Sequence, residues 1–235
     1  MNWNDKTILV VGGSSGIGAS VLELLSDTGA KVISLSRSKP GNPHDQHITL
    51  DITEEFSEIA GLPDTLDGIV YCPGSINLKP FQALKLSDFV ADMDINFFGA
   101  VKVIQACLKV LKKSPAASVV LFSTVAVSQG MSYHAAIAAA KGAVEGLSRS
   151  LAAEYAKSGI RFNCIAPSLT DTPLAAGLLA SEDKRKASDE RHPLRRVGKP
   201  EDLSSAVKYL LSDESGWMTG QVLRPDGGMS SVRPL

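Results

Sequence analysis

The run Gly12-Gly13-Ser14-Ser15-Gly16-Ile17-Gly18 constrains this chain more than any other, because of what stands on either side of it. Before it, Thr7-Ile8-Leu9-Val10-Val11 is a short β-branched run of the kind buried in a parallel sheet, and it stops at Gly12. After it, apolar residues recur at Ile17, Val21, Leu24 and Leu25, a helical spacing that continues to about Thr28, with Gly29 placed to end the helix. A strand that turns this tightly into a helix needs residues without Cβ. Backbone N–H groups and the positive end of the helix can then approach a pyrophosphate. The plainer alternative is a glycine-rich turn with no ligand. The second strand that follows, at 31–35, favours the nucleotide reading.

The same alternation continues along the chain. Strands are expected at 47–50, 68–72, 118–122, 161–165 and 220–223. Helical patterns cover 87–111 (as one helix or two), 135–157 and 200–211, the last opened by Pro200 with Glu201 and Asp202 in its first turn. Strands alternating with helices predict crossover connections and a parallel sheet covered on both faces. The expected fold is therefore α/β, a three-layer, doubly wound parallel sheet of the Rossmann type. At 235 residues it forms one domain over 1–235. The segment at about 168–198 is too long for an ordinary connection and reads as a lid or substrate loop. Its charged run Glu182-Asp183-Lys184-Arg185-Lys186 reads as a solvated helix face.

Composition removes several function classes. Net charge is −1 with Lys and Arg scattered, so neither nucleic acid nor an anionic membrane is an expected partner. No stretch approaches ~18 consecutive apolar residues, the length a spanning helix needs. The start, Met1-Asn2-Trp3-Asn4-Asp5-Lys6, has no signal-peptide core. Cys72, Cys107 and Cys164 are dispersed, without a C-x-x-C pair, and read as reduced core thiols. No metal site is expected, and the expected location is cytoplasmic.

The end of the second strand bears on which dinucleotide is bound. A carboxylate there accepts from the ribose 2′-hydroxyl and repels a 2′-phosphate. This chain reads Leu35-Ser36-Arg37-Ser38, with no carboxylate and with a guanidinium able to donate a bidentate pair to phosphate. NADP(H) is therefore the preferred cofactor, with NAD(H) as the alternative. An exposed loop arginine without a ligand is the bland reading of Arg37.

The glycine spacing is G-x-x-x-G-x-G, and from it onward essentially the whole chain resembles the short-chain dehydrogenase/reductase family. Gly12, Gly16 and Gly18 match its glycines, although Val11 stands where the family usually has a threonine that braces the turn. Asp51 and Ile52, after the third strand, resemble the pair that contacts adenine. Asn96, in Ile95-Asn96-Phe97-Phe98-Gly99, fits the helix asparagine that helps hold a relay water. Asn163-Cys164-Ile165-Ala166-Pro167-Ser168-Leu169-Thr170-Asp171-Thr172 matches the segment that meets the nicotinamide. There Thr172 fits the carboxamide-binding threonine, and Ser168 replaces the usual glycine. Thr219-Gly220-Gln221 and Asp226-Gly227-Gly228 repeat the family's C-terminal turns. Tyr71-Cys72-Pro73-Gly74 departs from the usual Asn-Asn-Ala-Gly. The resemblance implies a cofactor site built from Gly12, Ser14, Ser15, Gly16, Ile17, Gly18, Arg37, Asp51, Ile52, Gly74, Lys141, Pro167, Leu169 and Thr172.

The catalytic motif is incomplete. Hydride transfer to a carbonyl needs a proton donor for the developing alkoxide and a group that polarises the oxygen. In the family these come from Ser, Tyr and Lys, with Tyr one helical turn before Lys. Lys141 is present, and it can also bind the nicotinamide ribose. Four residues earlier stands Ile137, which has no proton to give and instead suggests an apolar substrate pocket. Thr124, in Phe122-Ser123-Thr124-Val125-Ala126, holds the usual serine position and keeps a hydroxyl. Tyr133 and His134 both fall near the cleft and are candidate replacement acids, His134 being suited to acid–base work near neutral pH. On a regular helix they would lie ~12 Å and ~10.5 Å from Lys141 and lean away from it, so pocket lining or a helix start is the plainer role for each.

Two functions follow from these residues. The favoured one is an NADP(H)-dependent oxidoreductase that moves hydride between nicotinamide and a small-molecule carbonyl/alcohol substrate, with an altered proton relay. It stands nearest to the 3-oxoacyl-ACP reductase-like members. The alternative is a weakly active or inactive NADP(H)-binding sensor, for which Ile137 is the best support. The small residues of the 135–157 helix allow close approach of a second copy, so a homo-oligomer, dimer or tetramer, is expected.

Overall fold

The apolar run Thr7–Val11 forms β1, an interior strand of a seven-stranded sheet, in a computed structural model that describes residues 3–233. The other strands are β2 (Lys31–Ser36), β3 (Gln46–Thr49), β4 (Gly68–Tyr71), β5 (Ser118–Phe122), β6 (Arg161–Ile165) and β7 (Val222–Leu223). They are ordered β3-β2-β1-β4-β5-β6-β7, and every pairing is parallel. The helices are α1 (Gly16–Ser26), α2 (Leu86–Met93), α3 (Gly99–Leu111), α4 (Ala135–Tyr155), α5 (Glu182–Arg191) and α6 (Pro200–Leu211).

Successive strand residues point to opposite faces, and both faces are covered. Ile8, Val10, Val32, Val70 and Val120 pack with Val21, Leu22 and Leu25 of α1 and with Leu203, Val207 and Leu210 of α6. Leu9, Val11, Ile33, Leu35, Ile69 and Leu121 pack with Val103, Ile104 and Leu111 of α3 and Val144 of α4. This is the three-layer α/β fold read from the alternation of strands and helices. The chain reverses direction across the sheet between β1 and β4, which opens a crevice at the carboxyl ends of those strands.

The pattern at 87–111 is one helical stretch with a π turn in it. Between α2 and α3, residues Asp94–Phe98 wind as a π-helix, with Gly99 N–H donating to Asp94 O five residues back. The last strand is shorter than the expected 220–223, because Gly220 has φ +71 and so cannot continue a strand. The segment at 168–198 has more structure than a loop. A 3₁₀ turn, Pro173–Leu178, is followed by α5, which carries the charged run 182–186 on an exposed face. Ser181 caps α5 by accepting from Lys184 N–H at 3.3 Å.

Among the described residues no helix is long and apolar enough to cross a membrane, and no group of three or more His, Cys, Asp or Glu could hold a metal ion. All three cysteines are free. Met1 and Asn2, at the head of the run read for a signal peptide, lie outside the described residues.

Candidate functional site

Two adjoining cavities fill the crevice. The first, about 400 Å³, is floored by the turn between β1 and α1. Gly12 has φ +78 and Gly16 φ +55, a region that side chains rarely adopt. At Gly18 an added Cβ would collide with the carbonyl oxygen of Gly12. The turn is therefore closed to larger residues, and the start of α1 lines the cavity with no side-chain cap and no acidic residue in its first turn. That is a concave, donor-rich surface suited to an anion such as a pyrophosphate.

Ser14, Ser15, Ile17, Arg37, Asp51, Ile52, Gly74 and Thr172 also line this cavity. Arg37 is exposed at its edge, just past β2. The Asp51 carboxyl is held below its usual range, first by hydrogen bonds from Thr53 N–H (3.0 Å) and Thr53 Oγ1 (2.7 Å) and less by the Arg37 charge. Both Thr53 bonds fall on Oδ1, which leaves the acceptor capacity of Oδ2 free of them.

The second cavity, about 300 Å³, shares Ile17, Cys72, Gly74, Thr172 and Leu174 with the first. Thr124, His134, Ile137, Lys141, Pro167 and Leu169 line it. Pro167, Leu169 and Lys141, expected at the cofactor, are thus on the inner side, while the other expected cofactor residues line the outer cavity. Ile137 is 6% exposed and Lys141 7%. Burial pulls the Lys141 amine down to about 8, against the smaller opposing effects of Cys164, Cys72 and Asp92. Cys72 lines both cavities, but its thiol is pushed up to about 12 by burial, so it stays protonated and is a poor nucleophile.

Gly74 brings two expected residues together. A Cβ on it would lie 3.4 Å from Asn96 Oδ1 and 3.7 Å from Lys141 Nζ. Asn96 sits in the π turn, and its Nδ2 donates to Ser75 Oγ (2.9 Å) and Asp92 O (2.7 Å). Its Oδ1 is buried without a partner, aimed where a water or a ligand hydroxyl could donate. Thr124 Oγ1 accepts from Ala126 N–H at 3.3 Å, which leaves its own proton to donate into the cavity.

Tyr133 and His134 separate. α4 begins only at Ala135, so the expectation that both border the cleft holds for one of them. His134 lines the second cavity, with Nδ1 2.7 Å from Ser132 O. Tyr133 has φ +71 and an exposed side chain that is not part of the lining. The left-handed backbone at Tyr133 turns it outward before the helix starts.

Two residues in the cavity wall were not singled out from sequence. His192, at the end of α5, is 2% exposed and contacts Ser168. Ser75 Oγ donates to Asp92 Oδ1 at 2.5 Å beneath Asn96. Ser168, which stands where the family has glycine, was the available signal for the first. Nothing in the spacing of Ser75 and Asp92 pointed to the second.

The family model described as enoyl-(acyl carrier protein) reductase matches residues 11–230. Over 231 residues the chain is 33% identical to acetoacetyl-CoA reductase of Synechocystis sp., covering 95% of each. A short-chain type dehydrogenase/reductase from Mycobacterium ulcerans superposes with a TM-score of 0.89 at 29% identity, covering 99% of this chain and 92% of that one. A candidate NAD(P)-dependent gluconate 5-dehydrogenase from Beutenbergia cavernae, with NADP bound at low occupancy, gives 0.89 at 26% identity, covering 97% and 98%.

Proposed function

This chain belongs to the short-chain dehydrogenase/reductase family, and from that premise we propose that it is an NADP(H)-dependent oxidoreductase acting on a small carbonyl/alcohol pair. The observation that carries this reading is the continuity of the two cavities. A polar, glycine-floored one opens into an apolar one that holds Lys141 and Thr124. The residues fit the dinucleotide on two counts: a turn so tight that a Cβ at Gly18 would strike the Gly12 carbonyl, and a buried Asn96 oxygen awaiting a donor.

In this reading the N–H groups of the Gly12–Gly18 turn hold the pyrophosphate, Arg37 pairs with the 2′-phosphate, and Asp51 with Ile52 receives the adenine. Pro167, Leu169 and Thr172 hold the carboxamide end, and Lys141 donates to the ribose hydroxyls. Bound there, the nicotinamide supplies or takes up hydride. Thr124 donates a hydrogen bond to the substrate oxygen, and Asn96 Oδ1 orders a water beside Lys141. The segment 168–198, with α5, acts as the lid over the apolar cavity.

The sensor alternative keeps only Ile137 in its favour, while the lining of both cavities by the residues expected at the cofactor supports the oxidoreductase. The chain works in the cytoplasm as a homo-oligomer packed across α4, whose outward positions include Ala135, Ala139 and Gly146. The test is a fluorescence titration with NADPH and NADH, followed by NADPH oxidation with ethyl acetoacetate and cyclohexanone as probe carbonyls. Saturable NADPH binding with carbonyl-dependent oxidation is expected. Binding without turnover on any carbonyl would leave the sensor, and no binding of either nucleotide would end both readings.

A further inference from the structure

We propose that Ser168 and His192 form the proton-exchanging pair that stands in for the phenol displaced by Ile137. Ser168 meets the substrate oxygen, and His192 is the base behind it. The inference rests on the oxidoreductase reading above.

The pair is fully wired. His192 Nδ1 lies 2.7 Å from Ser188 O, and Nε2 lies 2.9 Å from Ser168 Oγ. A carbonyl only accepts, so Nδ1 carries a proton. In the neutral ring Nε2 is then the acceptor for the Ser168 hydroxyl. When the ring is charged, Nε2–H donates to Ser168 Oγ, and the serine proton is released to point elsewhere. Met229 Sδ, a weak acceptor 2.9 Å from Ser168 Oγ, marks a direction open to that proton. A hydroxyl backed by an imidazole that is itself oriented by a third group has the arrangement that proton-transfer chemistry needs.

The pair also stands in the right wall. Ser123 N–H donates to Ile165 O at 2.7 Å and Val125 N–H to Pro167 O at 3.1 Å, so the segment ending at Ser168 runs beside the one carrying Thr124. Thr124, Ile137, Lys141, Ser168 and His192 line the same cavity. On their far side Ser168 and His192 border a further cavity of about 240 Å³ with Arg196, Asp202 and Asp226, which offers water a route to the ring.

The step balances in both directions. In reduction the nicotinamide supplies a hydride to the carbonyl carbon, and the carbonyl π pair moves to oxygen. The Ser168 O–H bond breaks toward that oxygen as the His192 Nε2–H bond breaks toward Ser168 Oγ. Alcohol, intact serine and neutral histidine result, and the imidazole regains its proton from water. Oxidation runs the same bonds backwards and needs the neutral ring. Reduction therefore weakens as pH rises and oxidation strengthens. The charges around the ring are Arg191 and Lys141 in the shared cavity, Asp189 on α5, whose carboxylate accepts from Val197 N–H, the Arg196–Asp202 ion pair, and Asp226 beside Gly227, where a Cβ would lie 3.6 Å from His192 Cδ2.

The test takes Ser168→Gly as its main variant, since it removes the hydroxymethyl group and installs the residue that the family resemblance leads one to expect there. With ethyl acetoacetate as probe, its turnover should fall about 10²-fold or more, the scale of a lost general acid, with NADPH affinity unchanged. Ser168→Thr should retain most of the activity, and the fall of reduction with pH should vanish in Ser168→Gly. Adding Ile137→Tyr to Ser168→Gly should restore turnover by placing a phenol one turn before Lys141. Independently of any cofactor, ¹⁵N NMR of the four histidines, with His192 assigned through His192→Gln, should show the neutral His192 ring protonated at Nδ1. Unchanged turnover and pH profile in Ser168→Gly, or a His192 ring protonated at Nε2, would overturn the pair while leaving the oxidoreductase intact. A wild type that binds NADPH yet reduces no carbonyl would overturn both.

Discussion

Ile137 and Lys141 stand one turn apart on α4, both buried and both lining the same cavity, so that a branched hydrocarbon stands one turn before the amine. The amine loses most of its hydration there, and Cys164, Cys72 and the Asp92 carboxylate offset only part of that loss. That imbalance lowers its proton affinity to about 8.

Lys141 should leave a signature in stability against pH. Its folded-state value, about 8, lies below the ordinary lysine value of 10.5 that describes the unfolded chain. Below about 8 the amine is charged in both states, and burying that charge costs stability. Between about 8 and 10.5 the native protein sheds the proton and the unfolded chain keeps it, so the penalty is relieved as pH rises. Thermal midpoints of wild type and Lys141→Met should therefore converge across that window, with the variant ahead at neutral pH. A difference that stays constant with pH would show that the amine is not desolvated.

Arg37 should decide between the two nicotinamide dinucleotides. It lies at the lip of the outer cavity beside Ser38, with no carboxylate at the end of β2 to compete for it. A charge-assisted bond is worth about 1.5–3 kcal/mol, or about tenfold to a hundredfold in affinity. Titration of Arg37→Ala should show NADPH weakened by that factor and NADH unchanged. Equal loss for both would mean that Arg37 contributes general charge and reads no phosphate.

Gly18 and Gly130 should respond oppositely to the same added methyl group. A Cβ at Gly18 meets the backbone of Gly12 and Gly13, which cannot swing aside, whereas at Gly130 nothing lies within 4 Å. Gly18→Ala should lower stability by about 1–3 kcal/mol, the usual cost of overpacking, and abolish NADPH binding because the cradle must open. Gly130→Ala should leave both unchanged. NADPH affinity retained in Gly18→Ala would remove the cradle from the binding site.

The fold was legible because its strands are buried on both faces and so read as unbroken apolar runs. The glycine turn was legible because it sits at a junction where only one backbone path fits. What was hidden depends on contacts between distant segments. Ser168 and His192 are 24 residues apart, a separation that no periodicity links. The π turn at Asp94–Phe98 has no marker, since its residues continue the helical pattern of α2 into α3. Tyr133 misled because its position suggested a helix start, while its backbone adopts φ +71 and turns the ring to solvent.

Tyr71 should hold that π turn in place. It stands at the end of β4, where the family resemblance leads one to expect asparagine, and its Oη donates to Ile95 O at 2.6 Å. Ile95 lies inside the turn and precedes Asn96, so the bond ties the sheet to the backbone that positions the unpaired Asn96 oxygen. Burial raises the phenol well above its ordinary value, so it remains a donor at every working pH. Gly99 completes the fit, because a Cβ there would strike Tyr71 Oη. Tyr71→Phe keeps the ring and leaves the Ile95 carbonyl without this donor, which costs about 1–3 kcal/mol, a fall in Tm of about 2–12 °C for a chain of this size. Hydrogen exchange at the Gly99 amide, which donates to Asp94 O, should accelerate in the variant. Turnover should drop while NADPH affinity holds, because Asn96 loses its support and the glycine cradle does not. If Tm and Gly99 exchange both match the wild type, the turn is held by the helices on either side of it and Tyr71 only fills space.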